Sequence, residues 1–267
     1  GRISHFNGSN GLNTSSRVTR IVFDKLNHAW ISTWGAGVEV FDPLEQTIKH
    51  LNTSKGLGND QVGSLFLDAN GQIWMGTYAG EINIYNPQAG NMQHLTAAQG
   101  LNNKSTWYYS FFEDKQGRKW IGSLGHGIDI LDEQKSTLQN FSRNEGLNNN
   151  SINQIFPDAK GRVWVGTGSG INLIDDSKGT IKSWNSGSIM DILEDRKGRI
   201  WVANNGVLVF NEKENLFKTI KRNQPPMGNN ANGILEEESG EIWVSSDLGL
   251  SVIDSAEKTF KTIDNDL

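Results

Sequence analysis

The chain has 267 residues, 36% hydrophobic and 21% charged, an ordinary globular composition that suits one large domain or two small ones. A net charge of -5 offers no basic face for nucleic acid or for an anionic membrane. The lack of cysteine excludes disulfides and thiolate chemistry and leaves the redox compartment unread; no apolar run approaches the roughly 18 residues of a membrane span, and no signal peptide is apparent.

In chain order, the first segment is "ISHFNGSNGL", which matches the later "IKHLNTSKGL" and "MQHLTAAQGL". Residues 1–12 therefore read as a leading outer strand and its link, and a chain that starts in mid-pattern at Gly1 reads as a piece of something longer. Six variants of one phrase follow: "NHAWIST", "GQIWMGT", "GRKWIGS", "GRVWVGT", "GRIWVAN" and "GEIWVSS". Their anchors, Trp30, Trp74, Trp120, Trp164, Trp201 and Trp243, are spaced by 44, 46, 44, 37 and 42 residues, a period typical of solenoids and propellers.

One unit shows how the repeat is built. "VGSLFLD" reads as a buried strand a, and "DANG" as an Asp-x-x-Gly turn in which Asp bonds its own backbone and Gly takes positive φ. Asn27 replaces that glycine in the first unit, as the next-best left-handed residue. The tryptophan segment is strand b, a short glycine-bearing loop leads to the alternating strand c, "INIYN", and strand d is "MQHL". A lone four-stranded meander cannot bury both faces, so copies pack face to face, with radial stacking leaving only short edges. The expected fold is all-β, a single β-propeller domain over residues 1–267 made of four-stranded antiparallel blades, with six favoured and a seven-bladed parent as the other closure.

The core "D-x-x-G-x-[aliphatic]-W-[aliphatic]-G-T", with the links "GLNNKS" and "GLNNNS", resembles the bacterial two-component regulator propeller repeat. The resemblance covers essentially the whole chain and weakens late, where "WVANNG" and "WVSSDLG" lose the Gly-Thr pair and the fifth link shrinks to "WNSGSI". It implies an extracytoplasmic input domain, periplasmic or extracellular, of a membrane-spanning sensor that responds to oligosaccharides or other polymer fragments. The signalling portion of such a parent is not in this sequence, and no cofactor is implied.

In a meander, the d-to-a links and the b-to-c loops emerge on one face, the natural mouth for a ligand. Trp34 and Tyr78 open equivalent b-to-c loops on adjacent blades, and Trp107 and Tyr108 lie in the next link. Aromatic faces beside amides suit a sugar ring, with Asn102, Asn103, Asn148, Asn149, Asn204 and His126 as polar candidates. Packing readings stand beside these: Tyr108 falls where the fourth unit has Ile152, Trp34 and Tyr78 can cover neighbouring loops, and Asn suits turns for backbone reasons.

No catalytic or metal site is expected. His5, His50 and His94 share one position on successive outer strands, too far apart for one ion. The repeated aspartates are turn formers, and equal environments around a ring do not make an acid–base pair. The expected function is a non-catalytic, ligand-sensing propeller. The alternatives are a protein-interaction scaffold and a polysaccharide lyase or hydrolase.

Overall fold

A computed structural model describes residues 11–13, 16–78, 80–102, 108–175, 179–220, 230–254 and 260–263. The leading strand expected within 1–12 thus lies almost entirely outside the described residues. The described residues form six four-stranded antiparallel sheets in which strand order follows the sequence. These are the six expected blades, spanning residues 18–51, 62–95, 108–141, 152–185, 191–219 and 231–263. The backbone groups into two compact units, residues 1–140 and 141–267.

The second blade shows why this sequence makes this element. Strand a, Val62–Leu67, pairs with strand b, Ile73–Thr77, so that Phe66 lies opposite Trp74 and Leu65 opposite Met75. Between them Asp68 Oδ1 accepts the Gln72 N–H at 2.8 Å, and Gly71 takes φ 83°, the left-handed conformation that closes the turn. Asn27 occupies the same turn position in blade 1 at φ 62°. Strand c, Ile82–Asn86, and strand d, Asn91–Leu95, complete the meander.

Alternation gives each blade two apolar faces. In the first unit, Trp30, Val38 and Val40 on the trailing face of blade 1 pack with Val62, Leu65, Ile73 and Met75 on the leading face of blade 2. Trp74, Ile82 and Ile84 then meet Ile121 of blade 3, with Phe66 and Phe111 stacked at 6.1 Å. In the second unit, Trp164 of blade 4 packs on Ile189, Ile192, Ile200 and Val202, while Trp201, Val207 and Val209 of blade 5 cover Ala231, Ile234, Ile242 and Val244. Five anchor indoles are buried, and Trp243 of the last blade is half-buried. Trp184 sits 6.0 Å from Trp164 in the fourth blade's junction.

Carboxylates strap several junctions. Glu113 accepts the Ala69 N–H at 2.7 Å, Glu194 that of Ala159 at 2.6 Å, and Glu236 that of Arg196 at 2.8 Å, each reaching the turn of the preceding blade. Blade 3 places a buried Lys119 where other blades carry an aliphatic residue; its Nζ meets Glu113 at 3.0 Å and Asp68 at 3.7 Å. A buried cation survives only with such partners.

Candidate functional site

The loop face is assembled from links and b-to-c loops, which bond one another directly. Gly35 N donates to Asp60 O at 3.0 Å, Tyr78 N to Gln61 O at 3.0 Å, and Gly168 N to Ser151 O at 3.0 Å. Each of three links begins with a short 3-10 turn, Thr53–Lys55, Ala97–Gln99 or Arg143–Glu145, ended by a left-handed glycine. Two of these turns carry full capping boxes, Thr96 with Gln99 and Ser142 with Glu145. The leucine after each glycine, Leu57, Leu101 or Leu147, is buried and seats the link.

The residue after that leucine is held by a buried polar side chain at the centre of strand c. Asn13 N donates to Glu39 Oε1 at 2.8 Å, Gly58 N to Asn83 Oδ1 at 2.9 Å, and Asn148 N to Asn172 Oδ1 at 3.0 Å; Asn102 N reaches Asp129 Oδ2 at 3.3 Å. A buried polar atom without a partner is costly, so this bond fixes the link to its blade. Strand d adds a second partner: Asn140 Nδ2 donates to Asp129 Oδ1 at 3.0 Å, and Ser183 Oγ to Asn172 Oδ1 at 2.8 Å. Burial pushes the Asp129 carboxyl above the ordinary carboxylate range, and Asn140, the Asn102 N–H and nearby His126 only partly offset it.

The sequence-derived candidates fall into four groups. Trp34 and Tyr78 come together, their rings 6.2 Å apart and edge-on at 71°, with Trp34 bridged to Gln61 of the link. Tyr78 is 48% exposed. His126 is half-buried at the tip of the third b-to-c loop, and Asn102 is exposed in the link before that blade. The amides of the fourth and fifth blades are occupied by the framework. Asn148 donates to Trp184 O at 3.2 Å and accepts from Thr167 Oγ1 at 2.7 Å; Asn149 donates to Ser169 Oγ at 2.7 Å; buried Asn204 donates to Ser186 O at 2.6 Å. Asn103 and Trp107 lie outside the described residues, as does the side chain of Tyr108, whose backbone pairs with Ser123 as Ile152 pairs with Thr167.

Reading the repeated acids as turn formers captures half of their role. Every anchor indole donates Nε1–H to the turn carboxylate six residues before it: Asp24, Asp68, Asp114, Asp158 and Asp195 at 2.8 to 3.0 Å, and Glu237 at 2.9 Å. The signal was the unvarying six-residue spacing from acid to tryptophan. Arg118, Arg162 and Arg199 add a guanidinium above the same indole, the last at 4.9 Å. Burial works against the Asp195 charge, yet the Trp201 indole and the Arg199 backbone and guanidinium together hold its carboxyl below the ordinary range. Among the described residues, no three metal-ligating side chains converge.

Comparison with known proteins agrees with this architecture. The family model described as two component regulator propeller matches residues 56–79, 146–169 and 183–206, each running from a link or outer strand into a b-to-c loop. No curated protein sequence matches significantly. Among solved structures, the chain is similar to two extracellular domains from B. thetaiotaomicron, each assigned to a hybrid two component system. One is 25% identical with a TM-score of 0.73, over 93% of this chain and 36% of that one. The other is 21% identical with a TM-score of 0.72, over 90% and 33%. The chain thus spans about a third of their length. It also shares its fold with virginiamycin B lyase from Staphylococcus aureus, at 15% identity and a TM-score of 0.71, over 96% of this chain and 86% of the lyase. With six four-stranded blades among the described residues, the chain is an all-β propeller, and three of its segments match the two component regulator propeller model.

Proposed function

We propose that this propeller is the extracytoplasmic input domain of a sensor and binds a neutral oligosaccharide on the loop face of its first two blades, with its six blades working as one domain over residues 1–267. The observation that carries the reading is the Trp34–Tyr78 pair. Two aromatic rings from equivalent loops of adjacent blades stand edge-on at the loop face, one of them substantially exposed. Such rings offer C–H stacking area at little entropic cost, while the link supplies polar groups at the rim. The propeller matches to extracellular domains of two component systems support the sensing role, and signalling passes through parts of a parent chain beyond these blades. No reaction is assigned: the likeness to the lyase is one of fold.

The test is isothermal titration with neutral β-1,4-gluco-, β-1,4-xylo- and α-1,4-malto-oligosaccharides. Saturable binding by the native chain is expected, weakened at least tenfold by Trp34→Ala combined with Tyr78→Ala, with the thermal transition retained. Binding undiminished by the double substitution would remove the aromatic pair from the site. Release of new reducing ends during the titration would instead identify an enzyme.

A further inference from the structure

The residue just before strand a holds the b-to-c loop of its own blade through its carbonyl. Arg17 O accepts the Trp34 N–H at 2.9 Å, Gln61 O that of Tyr78 at 3.0 Å, and Ser151 O that of Gly168 at 3.0 Å. The link before blade 2 also reaches back to the loop of blade 1, because Asp60 O accepts Gly35 N at 3.0 Å and Gly37 N at 2.9 Å, and Gln61 sits opposite Trp34 in a β-bridge. Residues 59–61 therefore run between the two aromatic loops. In blades 2 and 4 an Asn side chain turns the link into strand a: Asn59 Oδ1 accepts the Gln61 N–H at 2.8 Å, and Asn149 Oδ1 that of Ser151 at 2.7 Å. The other end of Asn149 is committed, its Nδ2 donating to Ser169 Oγ at 2.7 Å. Asn59 Nδ2 and the Gln61 carboxamide, both half-buried, make no hydrogen bond to the described residues.

We infer, on the oligosaccharide reading above, that Asn59 and Gln61 are specificity-determining residues of that site, their uncommitted amide groups reading the hydroxyls of an uncharged sugar unit held against Trp34 and Tyr78. A carboxamide donates from nitrogen and accepts at oxygen, so it pairs with neighbouring hydroxyls that each do both. A polar group satisfied by a ligand hydroxyl is left unpaired by an analogue lacking that hydroxyl, which is how such a group discriminates. Asp60 stands between the two amides in the chain and engages both carboxylate oxygens with Thr53, whose N–H and Oγ1 lie at 2.7 and 3.2 Å. Its charge disfavours an acidic sugar at this point. The competing chemistry is that of Arg17, the exposed residue at the equivalent position of blade 1, which suits a carboxylate on the ligand.

Isothermal titration of the full chain with the β-1,4-gluco-, β-1,4-xylo- and α-1,4-malto-hexasaccharides, and with α-1,4-trigalacturonate, tests this. Gln61→Met removes the carboxamide and keeps the backbone bonds of residue 61; Asn59→Asp keeps the oxygen that turns the link and removes the Nδ2 donor. Each is expected to weaken the tightest neutral ligand about three- to tenfold and to narrow the spread of affinities among the three neutral sugars, with the thermal transition retained. Ser151→Ala, at the position of Gln61 in blade 4, is expected to change neither. Unaltered binding by Gln61→Met and Asn59→Asp, while Trp34→Ala with Tyr78→Ala still abolishes it, would overturn the inference and leave the aromatic site standing. Weakening by one common factor for all three sugars would overturn the discriminating role. Trigalacturonate bound more tightly than every neutral sugar, and released by salt, would transfer recognition to Arg17. A native chain that binds none of the neutral sugars would remove the aromatic site and this inference together.

Discussion

The anchor tryptophan is at once a packing wedge and a hydrogen-bond donor, and the two roles separate along the chain. Trp164 is buried, bonds Asp158 at 2.9 Å and packs 4.9 Å from Phe210 of the next blade, whereas Trp243 makes the equivalent bond to Glu237 at 2.9 Å with its ring half-buried. Trp164→Ala is therefore expected to cost about 3–5 kcal/mol, and Trp243→Ala distinctly less, as read from denaturant midpoints; equal losses would mean that the hydrogen bond, and not the packing, dominates. The acids carry opposite pH signatures. Asp195 has a folded pKa held below its unfolded value of about 4, so its stabilisation is complete above that value and lost as pH falls through the folded pKa. Asp129 is raised, so its ionised form burdens the fold above its folded pKa, and the burden lifts as it protonates. Asp195→Asn is expected to lower the melting temperature at pH 7 and flatten its acid decline. Asp129→Asn is expected to leave it unchanged or higher, because Asn83 and Asn172 fill the same strand-c position in blades 2 and 4. Melting curves from pH 3 to pH 7 check both signs.

At the scale of one blade, the link and the b-to-c loop are fitted to each other. In blade 4 the link residue is Asn148 and the loop ends in Gly170, where any Cβ would strike the Trp184 carbonyl and the Asn148 amide. Blade 2 inverts the arrangement: the link has Gly58, the loop has Glu81, and the Glu81 carboxylate fills the space a Gly58 side chain would take. The exchange leaves the buried atoms Glu81 Oε1 and Asn83 Nδ2 without hydrogen-bond partners, whereas in blade 4 Asn172 Nδ2 donates to Asn148 Oδ1 at 3.0 Å. Gly58→Asn alone is expected to destabilise by about 1–3 kcal/mol through overpacking, and adding Glu81→Gly to recover most of that loss; a double-mutant cycle with no coupling would refute the fit. The shortened fifth link has a related cause. Strand c there carries Leu208 in place of a polar residue, and the link bonds blade 4 instead, with Ile189 N donating to Thr167 O at 2.9 Å while the Ile189 side chain lies against Gly166. The strands, turns and blade order were legible in the sequence because alternation and the Asp-x-x-Gly turn are local signals. The link was not, because its bond to strand c joins residues some 25 positions apart in the chain, which no period displays.

For the molecule as a whole, the repeat explains six sheets and what each face wants beside it, but a repeat repeated faithfully carries little information about ligands. What distinguishes one blade from another is where departures accumulate: Trp34 and Tyr78 at the first two b-to-c loops, His126 at the third, and Lys119 inside a junction. Sequence position alone placed Trp34 and Tyr78 on neighbouring loops; that they stand edge-on within 6.2 Å depends on the link passing between them. The amides of Asn148, Asn149 and Asn204 looked equally available in the sequence, and their commitment to backbone and hydroxyl partners follows only from the folded loops. The most direct measurement is the indole region of a ¹⁵N-labelled chain during titration with the oligosaccharide that calorimetry identifies as the tightest binder. The Trp34 Nε1 signal is expected to move saturably, while those of Trp30, Trp74, Trp120, Trp164, Trp201 and Trp243, bonded to their turn carboxylates, stay fixed. A titration in which an anchor indole moves and Trp34 does not would contradict the account.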